Sequence, residues 1–248
     1  MKRPFIVAHR GFRGLYPEST IPCFEAALQL PVDAIEFDLH PTKDGEIVVS
    51  HDDSVERCSN GTGLIREKTF AELRALDFGA WKDPKFAGEK IPTFQELLDC
   101  VQRIRPDIFL CCELKEDDTY CAQRALDMLK AAGRLHNCSI ISFHPAMLEF
   151  ANAYESDLQI HGFLQFPGER GSHVPVEKLD DYYKILRRAG MPYAKATVEN
   201  VKFLHDRGIN VDVWEPNTPE ELQHCMEVGV DYITTARPDI ICHADNRC

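Results

Sequence analysis

The chain has 248 residues and a formal net charge of −12, with ten cysteines scattered along it. This length is typical of a single α/β barrel, and the negative charge argues against nucleic-acid binding and against attraction to anionic membranes. The cysteines have no metal-type spacing, so they are interpreted as reduced core thiols of a cytoplasmic protein. No apolar run reaches the ~18 residues of a membrane span and no secretory signal is present, so no stable membrane anchor is expected.

The first predicted unit is a strand, a loop and a helix. The strand covers residues 5–8, His9 and Arg10 follow it, and the helix begins at Ser19 or Thr20. His9 and Arg10 therefore lie at the carboxyl end of the first strand.

The stretch 33–53 holds the densest group of reactive side chains. Its first strand alternates apolar residues with Glu36 and Asp38, and the two-residue period of a strand places both carboxylates on one face. Because adjacent like charges are unfavourable without a cation or a shared proton, the pair suggests a hard metal ion. A reverse turn at 43–45 returns the chain, so His51 should lie near the pair. Taken alone, the pattern also fits an exposed acidic strand with a surface histidine.

Residues 52–90 interrupt the regular pattern with several glycines. We interpret this segment as an insertion with one short helix near 70–76, within a single barrel domain that covers 1–248.

Helices and strands alternate regularly after residue 90. The predicted helices are 93–103, 119–132, 145–154, 176–189, 198–207 and 219–228, and the predicted strands are 108–114, 139–143, 159–166, 193–196, 209–214 and 232–235. With the strands that start at Phe5 and Ala34 they make eight, which predicts a (β/α)8 TIM barrel. A doubly wound open sheet is the alternative, but its usual glycine-rich turn after the first strand is missing. A final helix after Pro238 should be short or absent.

Reactive residues recur at the carboxyl ends of the predicted strands. They are His9, Glu36, Asp38, Glu113, Lys115, Lys195 and Trp214. In a barrel these ends form one rim, where the fold builds its active sites, so distant residues should become neighbours.

At these positions the chain resembles the glycerophosphodiester phosphodiesterase family, over nearly its whole length. The matching motifs are His9-Arg10-Gly11, Tyr16-Pro17-Glu18-Ser19-Thr20, Ile35-Glu36-Phe37-Asp38, Thr42-Lys43-Asp44-Gly45, His51-Asp52, Gly61-Thr62-Gly63, Ile91-Pro92-Thr93, Glu113-Leu114-Lys115, Val213-Trp214 and Pro238-Asp239.

The resemblance implies a barrel enzyme that uses a divalent metal to hydrolyse deacylated phospholipids, releasing an alcohol and sn-glycerol 3-phosphate. The implied residues are Glu36, Asp38 and Glu113 as metal ligands, His9 and His51 as catalytic histidines, and Arg10 and Lys115 as phosphate-contacting cations. Three carboxylates make an oxygen-only site, which favours Mg²⁺ or Ca²⁺. Suitable small-molecule substrates are glycerophosphocholine and glycerophosphoethanolamine.

Some assignments have alternatives. Two histidines can supply a general base and a general acid, and our working hypothesis makes His9 the base and His51 the acid. Lys115 could instead form only a salt bridge with Glu113, two residues away on the same strand face. Trp214 either packs in the barrel or contacts a glycerol or choline-like group. The remaining histidines with an expected structural role are His136, His161, His205 and His224.

The chain also departs from the family pattern. Ser19 and Ala236 stand where the family commonly has Asn and Asp, and Glu215-Pro216 replaces an aliphatic pair beside the expected glycerol pocket. The Glu215-Pro216 departure bears on the identity of the substrate. Two further functions therefore stay open: a related phosphodiesterase acting on lysophospholipids or phosphoinositide-like diesters, and a phosphodiester-binding protein without turnover. Oligomeric state is not indicated.

Overall fold

The computed structural model describes residues 3–165 and 174–244. The strands are β1 (Phe5–Ala8), β2 (Ala34–Pro41), β3 (Ile47–Val49), β4 (Phe109–Leu114), β5 (Cys138–Ile141), β6 (Gln159–Phe163), β7 (Arg188–Pro192), β8 (Asn210–Trp214) and β9 (Tyr232–Thr235). The α-helices are α1 (Ile21–Leu28), α2 (Phe70–Ala75), α3 (Phe94–Ile104), α4 (Thr119–Ala131), α5 (Pro145–Tyr154), α6 (Leu179–Ile185), α7 (Val198–His205), α8 (Pro219–Val228) and α9 (Pro238–Ala244).

Eight parallel strands close into a ring. β1 pairs in parallel with both β2 and β9, and the ring continues from β2 through β4 to β9, each strand parallel to its neighbours. β3 lies outside this ring as an antiparallel partner of β2. The closure confirms the predicted (β/α)8 TIM barrel and excludes the open sheet.

The alternation in β2 explains how the barrel and its site are built together. The side chain of Phe37 is fully buried, and its ring packs between Phe24 of α1 and Phe94 of α3 at centroid distances of 6.4 and 5.4 Å. Burying one such side chain contributes about 1.5–3 kcal/mol. Since successive residues of a strand face opposite sides, the carboxylates of Glu36 and Asp38 then face the barrel interior.

The sixth strand of the barrel differs from its prediction. The helix predicted over 176–189 ends at Ile185, β7 occupies Arg188–Pro192, and the predicted strand 193–196 contains a 3-10 turn at Tyr193–Lys195. β7 is held by pairing with β6 and β8, which is a non-local interaction, and it carries a glycine and a proline, two residue types that are depleted in strands. Of the strand predicted over 159–166, β6 ends at Phe163, and residue 166 lies outside the described residues.

The segment after β3 has a small apolar core of its own. Val55, Ile65, Leu73 and Phe78 are buried together there, around α2. Its treatment as an insertion stays a prediction. In the described ranges no helix is long and apolar enough to cross a bilayer, and the described cysteines are free thiols.

Candidate active site

Three buried carboxylates lie at the carboxyl ends of β2 and β4. Asp38 pairs in register with Glu113, and Glu36 is two residues earlier on the same face. One oxygen from each of the three lies within 4.8 Å of the others. Within residues 3–165 and 174–244, Glu36 Oε1 and Asp38 Oδ2 find no hydrogen-bond partner. Such buried acceptors are costly unless a cation binds them, so this donor set fits a hard divalent ion.

The three carboxylates differ in their tendency to ionise. Burial raises the pKa of Glu36, and the nearby charges of Asp38 and Glu113 raise it further. Burial also raises the pKa of Glu113. For Asp38 burial acts in the same direction, but the opposing charge of Lys115 and the neighbouring basic groups outweighs it and lowers the pKa to about 2. Asp38 is therefore the most firmly ionised of the three.

Two cations lie against these carboxylates. Lys115 Nζ donates to Glu113 Oε1 at 2.8 Å and lies 3.0 Å from Asp38 Oδ1. Arg10 Nε is 3.8 Å from Asp38 Oδ2, and the Arg10 backbone N–H donates to Glu36 Oε2 at 2.9 Å. Lys115 thus forms the salt bridge considered as its alternative, and it also lines the cavity described below.

The loop after β1 has an unusual backbone that positions Arg10. Arg10 itself has φ of +54° and Gly11 has φ of +81°. A Cβ at Gly11 would lie 2.8 Å from Cys23 Sγ and 3.0 Å from the Cys23 backbone, so only glycine fits there. Left-handed backbone at a non-glycine residue is uncommon and is often found at functional sites.

His9 is the more enclosed of the two candidate histidines. Its Nε2 lies 3.8 Å from Glu36 Oε2, and its Nδ1 lies 3.3 Å from Glu215 Oε1. Burial lowers the pKa of His9 to about 4, although the contact with Glu215 acts in the opposite direction. His9 is therefore neutral near pH 7 and can accept a proton.

His51 is partly exposed and is held by an acidic neighbour. Its Nδ1 lies 2.6 Å from Asp52 Oδ1. Burial lowers the pKa of His51, whereas the charge of Asp38 and the contact with Asp52 raise it in part. The ring is thus oriented by a carboxylate, as expected for a general acid or base.

Arg57, which the sequence pattern did not single out, joins the loop after β1 to the segment after β3. Arg57 donates to both oxygens of Asp52, at 2.6 and 3.0 Å, and to both oxygens of Glu18, at 2.8 and 2.9 Å. Glu18 also accepts a hydrogen bond from Arg10 Nη1 at 2.9 Å. Asp52 and Glu18 stand in the quoted motifs, but no local pattern marked Arg57 as their common partner.

These groups surround a cavity of about 150 Å³. Its lining consists of His9, Arg10, Glu36, His51, Glu113, Lys115, Ile141, Phe143, His161, Phe163, Asp212, Trp214 and Thr234. The lining does not include Lys195. Phe143 stacks on Phe163 with ring centroids 3.6 Å apart, and Trp214 meets Phe163 edge-on at 5.3 Å. Trp214 therefore both packs in the barrel and faces the cavity.

Two residues beside the cavity differ from the sequence-based expectations. Glu215, one of the departures from the family pattern, lies against His9 and forms a two-point ion pair with Arg13. Burial opposes the ionisation of Glu215, but hydrogen bonding and charge from His9 and Arg13 lower its pKa to about 2. His161, which we expected to have only a structural role, places its ring in the cavity wall.

Comparisons with known proteins show the family of the chain. The model of the glycerophosphoryl diester phosphodiesterase family matches residues 9–240. Bacillus subtilis YhdW, provisionally named a glycerophosphodiester phosphodiesterase, is 31% identical over 250 residues, which cover 96% of each chain. A B. subtilis glycerophosphodiester phosphodiesterase is 28% identical over 254 residues, covering 96% of this chain and 85% of the relative.

A crystal structure from Silicibacter pomeroyi, provisionally assigned as a glycerophosphoryl diester phosphodiesterase, has the same fold. The two chains superpose with a TM-score of 0.86 at 25% sequence identity. The match covers 98% of this chain and 93% of the S. pomeroyi chain. The family match spans nearly the whole barrel and includes every motif residue that surrounds the cavity. The chain therefore belongs to the glycerophosphoryl diester phosphodiesterase family of enzymes.

Proposed function

We propose that the protein hydrolyses glycerophosphodiesters, such as glycerophosphocholine or glycerophosphoethanolamine, to the free alcohol and sn-glycerol 3-phosphate. The observation that carries the proposal is the convergence of three buried carboxylates, two imidazoles and two cations on one cavity. A cytoplasmic location without a stable membrane anchor stays a prediction.

Glu36, Asp38 and Glu113 are proposed to hold one divalent cation, Mg²⁺ or Ca²⁺, because all their ligand atoms are oxygens. When bound, the cation offsets the surplus negative charge and polarises a phosphoryl oxygen. The unpartnered oxygens of Glu36 and Asp38 support this assignment.

Arg10 and Lys115 are proposed to bind the phosphate of the substrate. Both line the cavity, and both already balance the charge of Asp38. A guanidinium can contact two phosphate oxygens, whereas an ammonium acts as a point charge. Their joint charge would stabilise the equatorial oxygens as the phosphorus is attacked.

The two histidines are proposed to move the protons. Neutral His9 takes a proton from the attacking water as the new P–O bond forms, and His51 donates one to the alcohol oxygen as the old P–O bond breaks. The proton gained by His9 and the one lost by His51 are then exchanged with solvent. The lowered pKa of His9 leaves its ring neutral and able to accept a proton, and the contact with Asp52 orients the His51 ring and opposes the lowering of its pKa.

The test is a product assay on the purified full chain with glycerophosphocholine. Choline and sn-glycerol 3-phosphate should appear in equal amounts, should stop appearing in excess chelator, and should return on addition of Mg²⁺ or Ca²⁺. Undiminished hydrolysis in chelator would contradict the metal assignment. Binding of the diester without any product would support the non-catalytic alternative.

A further inference from the structure

The cavity has a second polar wall, opposite the carboxylates. His9 follows β1, Glu36 belongs to β2 and Glu113 to β4, which are neighbours on one side of the ring. His161 of β6 and Asp212 of β8 lie across the barrel from them, separated by one strand, β7. The proposed metal and phosphate contacts do not use this wall.

The ring of His161 is buried and has unused hydrogen-bonding capacity. The residue is only 4% exposed, yet it lines the cavity. In the part of the chain that the structure describes, neither ring nitrogen makes a hydrogen bond. Buried polar atoms are normally paired, so an imidazole left free on a cavity wall indicates a partner supplied by whatever enters the cavity.

The backbone of β7 provides the room for this ring. A Cβ at Gly190 would lie 3.1 Å from His161 Nε2 and 2.8 Å from Trp214 Cζ3. Any side chain there would push the imidazole or the indole out of place. The absence of a side chain at Gly190 is thus required for both groups to face the cavity.

Asp212 completes the polar wall. It is 2% exposed, and its Oδ1 accepts a hydrogen bond from Thr234 Oγ1 at 3.0 Å. Its Oδ2 is 3.6 Å from Arg188 Nη1 and 3.9 Å from His161 Nε2, both beyond hydrogen-bond distance. An oxygen atom placed ~2.8 Å from both Oδ2 and Nε2 would bridge them with ordinary hydrogen-bond lengths.

The chemistry of the pair matches a hydroxyl group. Burial, with a smaller effect of the Arg188 charge, lowers the pKa of His161 well below its ordinary value, so the ring is neutral and offers one donor and one acceptor. A hydroxyl can accept from the imidazole N–H while donating to the carboxylate. A quaternary ammonium could do neither, and a second phosphate would be repelled by Asp212.

The cavity offers two different surroundings for the two arms of a phosphodiester. Phe143 is 41% exposed, whereas His161 and Asp212 are buried. The arm that varies among substrates fits the side of Phe143, and the arm common to all of them fits the enclosed wall. The hydroxyl farthest from the phosphate is best able to reach across the barrel.

We infer that His161 and Asp212 bind the terminal hydroxyl of the glycerol arm and determine the enzyme's specificity for glycerol. This inference rests on the proposed function and adds substrate-specificity residues to it. The wall recognises a hydroxyl on the glycerol side, so the choice between choline and ethanolamine on the other side should matter little.

The first test compares two substrates on the unaltered enzyme. One is sn-glycero-3-phosphocholine, and the other is the 2-hydroxypropyl phosphocholine analogue, which lacks only the terminal hydroxyl. The analogue should have a kcat/KM at least ~10²-fold lower, since a site built to bind a hydroxyl rejects its deoxy analogue strongly. Glycerophosphoethanolamine should stay within about tenfold of glycerophosphocholine, since either alcohol would extend past Phe143.

A ratio of parent to analogue below about threefold would overturn the inference, because water alone would then satisfy the wall. It would leave the proposed function intact, provided that glycerophosphocholine is hydrolysed. If glycerophosphocholine is not hydrolysed at all, the proposed function itself fails, so the two failures are distinguishable.

The second test uses His161→Phe, which keeps a ring but removes both nitrogens. It should lower kcat/KM for glycerophosphocholine by roughly 10²-fold and leave the analogue nearly unchanged, so that discrimination is lost. His161→Gln, which restores a donor and an acceptor, should recover part of the discrimination between the two substrates. His136→Phe, at an exposed position, is the matched control. An equal loss on both substrates in His161→Phe would show a structural role and overturn the inference.

Discussion

At the scale of single residues, the site is defined by an excess of buried negative charge. Asp38 is fully buried, yet its pKa is lowered to about 2 because Lys115 and its basic neighbours outweigh the effect of burial. Glu36 and Glu113, with raised pKa values, are less well compensated. A divalent cation would complete the compensation.

Glu113→Gln should weaken the binding of Mg²⁺ and Ca²⁺ by at least ~10-fold, since even residues behind metal ligands cost that much. Calorimetric titration of the chelator-treated protein measures it, and the loss should come without unfolding. Glu116→Gln is the matched control, because Glu116 contacts His40 and does not line the cavity. Unchanged affinity in Glu113→Gln would contradict the three-carboxylate site.

His9→Ala and His51→Ala should each lower turnover by at least ~10²-fold, because each removes one proposed proton-transfer group. The double variant should be little worse than the worse single variant, since the two act in one reaction. Steady-state kinetics with glycerophosphocholine provides the measurement, and exposed His136→Ala provides the control. Normal turnover in either single variant would remove that histidine from the mechanism.

At the scale of elements, the segment after β3 links residues of the candidate site. Through Arg57 it connects Asp52, which contacts His51, with Glu18, which binds Arg10. Glu18 is buried, and its pKa is lowered to about 2 because the hydrogen bonds from Arg57 and the charges around it outweigh burial. One guanidinium thus positions a proposed acid and a proposed phosphate ligand.

Arg57→Gln should therefore lower kcat by roughly 10- to 100-fold, since small displacements of reacting groups are that costly. Arg57→Lys should rescue little, because an ammonium cannot make the forked contacts. Adding Asp52→Asn to Arg57→Gln should lower kcat almost no further. If Arg57 had a merely structural role, the two losses would be expected to add. Arg66→Gln, an exposed arginine of the same segment, is the control. Full additivity of the two substitutions would argue against this positioning role.

At the scale of the whole molecule, the net charge and the exposed apolar side chains favour a substrate without an acyl chain. The formal net charge is −12, so an anionic bilayer repels the protein. The large exposed apolar side chains among the described residues are Leu15, Trp81, Tyr120, Phe143 and Val198. Only Phe143 of this set lines the cavity. A single aromatic ring is a poor surface for an acyl chain.

Glycerophosphocholine should therefore be cleaved with a higher kcat/KM than the matching lysophospholipid. The two substrates should be measured below the micelle concentration of the lysolipid, so that aggregation does not hide the comparison. A preference for the lysolipid would show that an apolar surface receives the acyl chain, with segment 52–90 as the first place to look for it.

The local pattern of the sequence determined most of the barrel and the core of its site. Strand alternation placed Glu36 and Asp38 on one inner face, and the rule that barrels act at strand carboxyl ends brought Glu113 and Lys115 to them. These predictions succeeded because they depend on a period of two residues and on one property of the fold.

Tertiary structure decided what depends on residues far apart in the chain. β7 is held in the sheet by pairing with β6 and β8, and its own sequence does not favour a strand. The strand could therefore not be predicted from the local pattern. His161 and Asp212 come together only across β7, where Gly190 leaves the space for the ring. The contacts of Arg57 likewise join separate loops. Such contacts are set by the packing of distant segments, and packing, unlike alternation, leaves no period in the sequence.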